Sequence, residues 1–462
     1  MICGGRKMKS KNVNMLSGSI TRGLLAMAIP IMIMNVMQSI FNIIDMTALK
    51  TFSSDSAVGA IGVCGSLITL CTSLLVGVSS GANVAIAKRI GQGDQEKTNQ
   101  AVMTAILTSI VGGLLLMVIG VTFAETFLKL TDCPETLLPK ATSYFKLYFV
   151  ACPVLYFYNF CASILRAIGD TKKPMFFMIL TGVLKVVFTV IFLVFTDMTV
   201  EGVAIATLLS YLVAATLAFI TILRNKETIQ LDFKKIRFYG EELRDMLYIG
   251  VPTGLQHALY SFANVVIVAA VNGLGENAST GMSIANQFDG ILYQVSVAPS
   301  LAVMPYVAQN AGAKNIRRVK QIIIRAILIT TAFGASLGAL SAIFSSQLSS
   351  IMSDNPEVIK YSMQKMVIVS STYFICGINE AMGGILKGLG KPIVPTIATL
   401  VFMCLIRFPW AYFVFPLYPS LTLLYLIWPI GWVLSISTQL CAYFPAISKL
   451  KKSCEEQVPS NA

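Results

Sequence analysis

An aspartate inside the first long apolar segment is the residue of this chain best suited to chemistry. The stretch SIFNIIDM (39–46) contains Asp45, and Asn35, Gln38 and Asn42 precede it at helical spacing. In an α-helix these four positions share one face, which we expect to point to the interior of its own lobe and away from lipid. The protonation state of a buried carboxyl group depends on hydration and nearby charges. The pattern therefore predicts exchange of a proton, a sodium ion or a cationic compound at Asp45.

Four other charged residues fall well inside apolar segments: Lys185, Asp289, Glu380 and Arg407. A charge within hydrocarbon needs a partner or a water-filled cavity, so each is a functional candidate. We expect Lys185 to form an ion pair with Asp45 that proton or cargo arrival breaks, although Lys185 could instead extend to the membrane surface. Arg407 directly precedes Phe408 and Pro409, and is expected to be structural and near a membrane face.

The second half of the chain offers another candidate cluster for ion or proton coupling. It consists of Asp289, Glu380 and the only histidine, His257, whose side chain could titrate near neutral pH or simply make a polar packing contact. Tyr260 and Asn264 are placed as Gln38 and Asn42 are in the first half. The candidates for contacting a substrate are Asn35, Gln38, Tyr260 and Asn264, whereas Asn42 is assigned to ion or proton coupling with Asp45.

The composition indicates an all-α integral membrane protein. The 462 residues are 55% hydrophobic and 12% charged, whereas soluble domains carry about 25% charged residues. Apolar segments long enough to cross a bilayer as helices recur throughout. Twelve are predicted, near 22–48, 58–86, 100–122, 144–165, 175–195, 202–223, 247–272, 281–311, 321–345, 361–386, 393–415 and 421–447.

The charge distribution predicts the topology. The basic stretch GGRKMKSKNVN precedes the first apolar segment, which is too long for the core of a secretory signal and is taken as a spanning helix. Lys and Arg concentrate in the connections on the side of the amino terminus. This pattern predicts two cytoplasmic termini in the inner (cytoplasmic) membrane, so the net charge of +13 does not indicate nucleic-acid binding.

The two halves of the sequence match at an offset of about 221 residues. AIPIMIMNVMQSIFNII from Ala28 matches GVPTGLQHALYSFANVV from Gly250, AKRIGQGD (87–94) matches AQNAGAKN (308–315), and ILRAIGDTKKP matches ILKGLGKPIVP. Six spans return the chain to its starting side, so the halves share one orientation. Two such lobes around a central cavity are typical of transporters that work by alternating access.

The repeat divides the chain into five parts. They are an amino-terminal cytoplasmic tail (1–21), an N-lobe (22–223), a cytoplasmic linker (224–246), a C-lobe (247–447) and a carboxy-terminal cytoplasmic tail (448–462).

With LRAIGDTKKPM entering the fifth span, EGVAIAT opening the sixth and LIRFPWAY in the eleventh, the chain resembles the multidrug and toxic compound extrusion (MATE) family over residues 20–448. The resemblance implies a V-shaped, twelve-helix efflux antiporter driven by protons or sodium. It also implies an N-lobe site that includes Asp45, Gln38, Tyr144 and Thr207.

The fifth span departs from the family pattern. Relatives often carry an asparagine and then a second aspartate there, whereas this chain has Lys185 and Thr189. The lysine puts a two-carboxylate sodium site in doubt, although Na⁺ at Asp45 stays a candidate. In the seventh span, Tyr260 stands where some relatives have a sodium-binding glutamate.

The expected cargo is an amphipathic organic cation, because Met and aromatic side chains suit flat cations and the candidate acids supply negative charge. No cofactor is expected beyond the coupling H⁺ or Na⁺, and the chain is expected to act as a monomer in contact with lipid. Metalloprotease and serine-hydrolase motifs are absent from the sequence, so an enzyme is not expected. The alternative function is a flippase for lipid or lipid-linked oligosaccharide.

Overall fold

The structure, a computed structural model, describes residues 13–52, 55–131, 133–196, 198–232, 236–418 and 420–455, and most of these residues are in helices. These residues contain no β-strand. Parts of the predicted tails and linker lie outside this set. The main helices are α1 Ile20–Phe52, α2 Asp55–Gln92, α3 Gln95–Thr122, α4 Leu138–Ala167, α5 Lys172–Phe195, α6 Val200–Arg224, α7 Gly240–Asn272, α8 Glu276–Gly312, α9 Ile316–Ile343, α10 Pro356–Ser370, α11 Tyr373–Gly388, α12 Ile393–Leu417 and α13 Leu421–Glu455.

The helix count is consistent with the twelve predicted spans, with one correction. Within the described chain, ten helical segments are long and apolar enough to cross a membrane by length and composition. Helix α7, which contains the predicted span 247–272, is not among these ten. The expected tenth span, 361–386, is not one helix, because a turn at 371–372 separates α10 from α11.

Two of the three matching blocks of the two halves lie at helix ends, and the third lies inside α1 and α7. Asp94 accepts a hydrogen bond from the Lys97 backbone N–H and caps α3, and Asn315 caps α9 in the same way. Gly169 and Gly390 have φ angles of 86° and 73° and end α4 and α11. Glycine reaches this left-handed conformation without a steric penalty. The internal repeat therefore preserves the residues that begin and end equivalent helices.

Three separate apolar clusters of described residues define how the helices group. One combines residues of both halves near the amino terminus and the 225–239 connection, and we call this end of the molecule the linker end. The other two lie at the opposite end, one built only from residues 49–204 and one only from residues 267–432. Helices α1–α6 (the N-lobe) and α7–α13 (the C-lobe) are thus joined at the linker end and have separate cores at the other.

Glycines allow the lobes to approach at the linker end. Gly77 and Gly81 on α2 contact the backbone of α7, where Gly250 and Gly254 contact α2 in return. A Cβ atom at Gly254 would lie 2.5 Å from the Leu74 Cα. Small residues permit this backbone approach between membrane helices.

Ion pairs close the linker end around Arg89, which is 4% exposed. Its Nη2 lies 2.7 Å from Glu241 Oε1 and 2.8 Å from Glu242 Oε1, so α2 of the N-lobe is tied to the start of α7. These acids precede the predicted span 247–272. Hydrogen bonds from Arg89 and Lys97 lower the pKa of Glu241, whereas burial raises the pKa of Glu242.

Candidate functional site

The N-lobe contains a cavity of about 330 Å³ between α1, α2, α4, α5 and α6. Its polar lining comes from the predicted residues Asn42, Asp45, Tyr144 and Lys185, with Tyr148 one turn after Tyr144. The remaining lining residues are Ile61, Gly62, Gly65, Ile68 and Val203. The two glycines leave space beside α2, because nothing lies within 4 Å of a Cβ placed on either.

Asp45 and Lys185 form an ion pair across this cavity, as their sequence positions predict. Lys185 Nζ lies 2.5 Å from Asp45 Oδ2, and the side chains are 19% and 8% exposed. Beyond this pair, the described residues offer the Asp45 carboxylate no hydrogen-bond donor. The ion pair is therefore the main compensation for a charge held in an apolar setting.

The other residues that the sequence assigns to the coupling site lie outside this cavity lining. Thr189 is fully buried, and its hydroxyl has no hydrogen-bond partner among the described residues. The Thr207 hydroxyl donates to the Val203 carbonyl of its own helix. A sodium ion at Asp45 would have to displace the Lys185 ammonium from the carboxylate.

The expectation that the polar face of α1 points into the N-lobe is wrong for part of its length. The Asn35 amide donates to the Gln294 carbonyl of α8 at 3.1 Å, so Asn35 contacts the C-lobe. Gln38 is exposed and does not line the Asp45 cavity. The polar face of α1 therefore contacts the C-lobe at Asn35 and lines the N-lobe cavity at Asn42 and Asp45, because α1 packs against helices of both lobes.

The C-lobe contains a cavity of about 280 Å³ lined by Tyr260, Asn264 and Asp289 among the predicted residues. Lys365 of α10 enters this cavity wall, and its Nζ lies 2.8 Å from Asp289 Oδ2. The same ammonium donates a hydrogen bond to the Asn286 side chain. Asp289 is thus one half of an ion pair.

The predicted cluster of His257, Asp289 and Glu380 is divided, which corrects that expectation. His257 and Glu380 line a smaller neighbouring cavity, and Tyr260 and Tyr293 border it. Lys387, on the same helix as Glu380, donates from Nζ to Gln256 Oε1 at 3.0 Å. The two acids lie on different helices, α8 and α11, and of the two only Asp289 forms an ion pair with a lysine among the described residues.

Arg407 is a buried residue of the C-lobe interior. Its side chain is 1% exposed and donates from Nη1 to Asn264 Oδ1 at 2.5 Å. The guanidinium carbon lies 5.2 Å from the Tyr260 ring centre and 5.0 Å from that of Trp428. Two π-helical stretches flank Arg407 on α12; such stretches are frequent at functional sites.

Lys365 and Tyr148 are the lining residues that sequence reasoning missed. Lys365 stands only four residues into the predicted tenth span, where a lysine could reach the surface, yet it is 2% exposed. The sequence contains no signal that places Lys365 beside Asp289, because one sequence does not show how two helices pack or in which register. Tyr148 could have been found as the next turn of the face that carries Tyr144.

Comparison with known proteins agrees with this architecture. The MatE family model matches twice, over residues 30–191 and 252–413, which reproduces the internal repeat. A relative in Bacillus subtilis (strain 168) named "Probable multidrug resistance protein YoeA" is 25% identical over 83% of this chain and 84% of its own. The "FAD transporter" of Shewanella oneidensis is 26% identical over 87% and 90%.

Solved structures share the fold. One described as the outward-facing conformation of a multidrug resistance MATE family transporter superposes with a TM-score of 0.87, at 20% identity, over 96% of this chain and 99% of that one. Another, from Pyrococcus furiosus, is described as having a binding pocket of reverse polarity and gives a TM-score of 0.84 at 20% identity over 97% and 99%. The repeated family match covers most of the chain, which therefore belongs to the MatE family of multi-pass membrane transporters.

Proposed function

We propose that this protein is a secondary active exporter of organic compounds that exchanges its cargo for H⁺ or Na⁺ by alternating access. The observation that carries the proposal is the Asp45–Lys185 ion pair in the N-lobe cavity. A buried pair contributes little to stability, since desolvation offsets much of its attraction. The pair can instead act as a switch, because it is either formed or broken, and ligand binding can shift the equilibrium between these two states.

The coupling step follows from the charge on Asp45. Protonation of the carboxyl group, or sodium binding to it, removes the attraction that holds Lys185 Nζ at Oδ2. The freed ammonium then moves to other acceptors or to water in the cavity. A cationic cargo competes for the same carboxylate, so ion and cargo exclude each other, as an exchanger requires. Thermodynamic linkage makes the effect reciprocal.

The contacts between the lobes support the proposal that this conformation is open at the end opposite the linker end. Arg89 and the glycines of α2 and α7 close the linker end, while separate cores form the opposite end. If the linker end is cytoplasmic, as the positive-inside pattern predicts, this conformation is the one open to the outside. In it the N-lobe cavity would release cargo and take up the coupling ion.

The cargo proposed for the N-lobe cavity is an amphipathic organic cation. The rings of Tyr144 and Tyr148 are 6.1 Å apart at their centres and line the cavity beside Asp45. Aromatic faces and a carboxylate together attract cations with flat apolar surfaces. We further propose that the protein works as a monomer in the cytoplasmic membrane, in contact with lipid.

Dye export by the purified protein in proteoliposomes tests this proposal. Rhodamine 6G movement is followed by fluorescence under an imposed proton or sodium gradient, which also identifies the coupling ion. We expect Asp45→Asn to abolish the gradient-dependent component, because the amide cannot gain or lose a proton. Asp354→Asn, which changes an exposed acid on a connection, is the matched control. Unchanged gradient-driven export by Asp45→Asn would refute the coupling role.

A further inference from the structure

The C-lobe interior carries more positive than negative charge. Its buried or cavity-lining charged side chains on α8, α10, α11 and α12 are Lys365, Lys387 and Arg407 against Asp289 and Glu380. In the N-lobe cavity, Asp45 and Lys185 balance one another. The interiors of the two lobes therefore differ in net charge, although the sequences of the two halves match as a repeat.

Among the described residues, Arg407 is the cation beside the larger cavity that has no carboxylate partner. Lys365 is paired with Asp289 at 2.8 Å, and Lys387, which does not line the larger cavity, donates to Gln256 Oε1 at 3.0 Å. The Arg407 guanidinium donates to the neutral amide of Asn264, and no acid within the described part of the chain forms an ion pair with it within 4.0 Å. Its Nη2 is buried without an acceptor. Leaving a buried guanidinium without a carboxylate is costly unless an anion completes the site.

The larger C-lobe cavity lies directly against this charge. Asn264, Tyr260 and Trp428 all line the cavity, and all three contact Arg407. Lys365 also lines the cavity, with its ammonium 5.5 Å from the centre of the Trp428 ring. An occupant of the cavity would therefore lie beside one buried ammonium and against residues that contact one buried guanidinium.

Much of the remaining wall is aromatic. Tyr293, Tyr373 and Trp432 line it, and the Tyr260 and Tyr293 rings stack 6.0 Å apart with an angle of 10° between their planes. Apolar side chains, among them Met282 and Val369, line another part of the cavity. Such a wall suits a flat ring. The cavity volume of about 280 Å³ is at the lower end of the range for small-molecule sites.

We propose that the C-lobe cavity binds a small aromatic anion, a carboxylate or sulfonate on a flat ring system, with Lys365 contacting the acidic group and Arg407 supplying the uncompensated positive charge. This site is distinct from the N-lobe coupling site and of opposite polarity. The proposal concerns binding, so it stands or falls independently of ion-coupled export.

Binding of two dyes that share a xanthene ring but differ in charge tests the proposal. Anisotropy of 5-carboxyfluorescein (anionic) and rhodamine 123 (cationic) is measured with the intact purified protein. We expect Lys365→Met and Arg407→Gln each to raise the Kd of the anionic dye about tenfold, the size expected for one lost charge-assisted contact. Lys360→Met, an exposed lysine on the same helix, is the control and should leave the Kd unchanged.

Two further variants separate an electrostatic role from a structural one. Asp289→Asn removes the only acid that lines this cavity among the described residues, so it should lower the Kd for the anionic dye several-fold. Arg407→Lys keeps the charge and should retain most of the affinity that Arg407→Gln loses. A damaged fold would weaken binding in every variant, so tighter binding by Asp289→Asn can arise only from charge.

Three results would overturn the site: equal binding of both dyes to the unmodified chain, no response to Arg407→Gln in a folded protein, or weaker anion binding by Asp289→Asn. Displacement of the dye by phosphatidylglycerol added to the micelles would assign the cavity to a lipid headgroup and also count against the proposal. If anion binding behaves as expected while Asp45→Asn transports normally, the proposed coupling fails and this site remains.

Discussion

At the scale of single residues, Asp45 and Lys185 depend on each other because each neutralises the other in a largely apolar cavity. Removing both charges leaves no unpaired ion, whereas removing one leaves a buried charge that must change protonation, recruit water or destabilise the fold. The cost of single and double substitutions therefore measures the coupling between the two side chains directly.

Lys185→Met should destabilise the protein more than the double variant Asp45→Asn with Lys185→Met. The single change leaves the Asp45 carboxylate unpaired, which costs about 3–5 kcal/mol at most if it stays ionised. The midpoint of thermal unfolding in detergent checks this order. We also expect Lys185→Met to lose the dependence of export on the ion gradient; full gradient-dependent transport by that variant would remove the paired-switch mechanism.

At the scale of helices, the contact between α2 and α7 depends on glycine at specific positions. Gly81→Ala places a Cβ against the Met246 carbonyl and should lower the thermal midpoint, because the helix backbones must separate. Gly65→Ala on the same helix has open space at its Cβ and should be neutral or stabilising by about 0.5–1 kcal/mol. Equal effects of both substitutions would contradict a close α2–α7 contact.

Arg89 fixes the start of α7 against the end of α2. Arg89→Gln removes its ion pairs to Glu241 and Glu242 and should speed amide hydrogen exchange over residues 240–250. Lys97→Gln removes only a partly exposed pair to Glu241 and should change exchange little, since such pairs contribute about 0–1 kcal/mol. Similar exchange rates in both variants would indicate that this network does not hold the linker end closed.

The sequence could predict the helices and their duplication, because hydropathy, caps and turn glycines are local signals. It also pointed to Asp45 and Lys185, since an isolated charge in an apolar span demands a partner. It could not place Asn35 against α8 or Lys365 against Asp289, because these contacts depend on helix rotation and lobe packing. The break between α10 and α11 falls at the small polar residues Ser370, Ser371 and Thr372, which lie inside an uncharged stretch that reads as one span.

At the scale of the whole molecule, the two lobes share one apolar cluster at the linker end and have separate clusters at the other. For the open end to close and the linker end to open, the lobes must separate at the cluster that they share, because packed interfaces switch between discrete arrangements. The free energy for this separation must come from ion and cargo binding more tightly to one conformation than to the other. A link that holds the linker end shut should therefore stop transport without altering either cavity.

Lys88→Cys combined with Asp245→Cys provides such a link. In the native chain, Lys88 Nζ and Asp245 Oδ2 lie 3.0 Å apart and join the lobes at the linker end. Treatment with a reducible bis-methanethiosulfonate reagent should stop dye export, and a reductant should restore it, because the closed end cannot open while the link persists. Because the chain has ten cysteines of its own, the unsubstituted chain treated with the same reagent is the first control. The matched control is Ser56→Cys with Lys140→Cys. In the native chain Ser56 Oγ and Lys140 Nζ lie 2.8 Å apart within the N-lobe, so a link between these positions should leave export intact. Continued export by the Lys88–Asp245 cross-linked protein would mean that the lobes do not separate at the linker end during transport, and alternating access by lobe movement would fail.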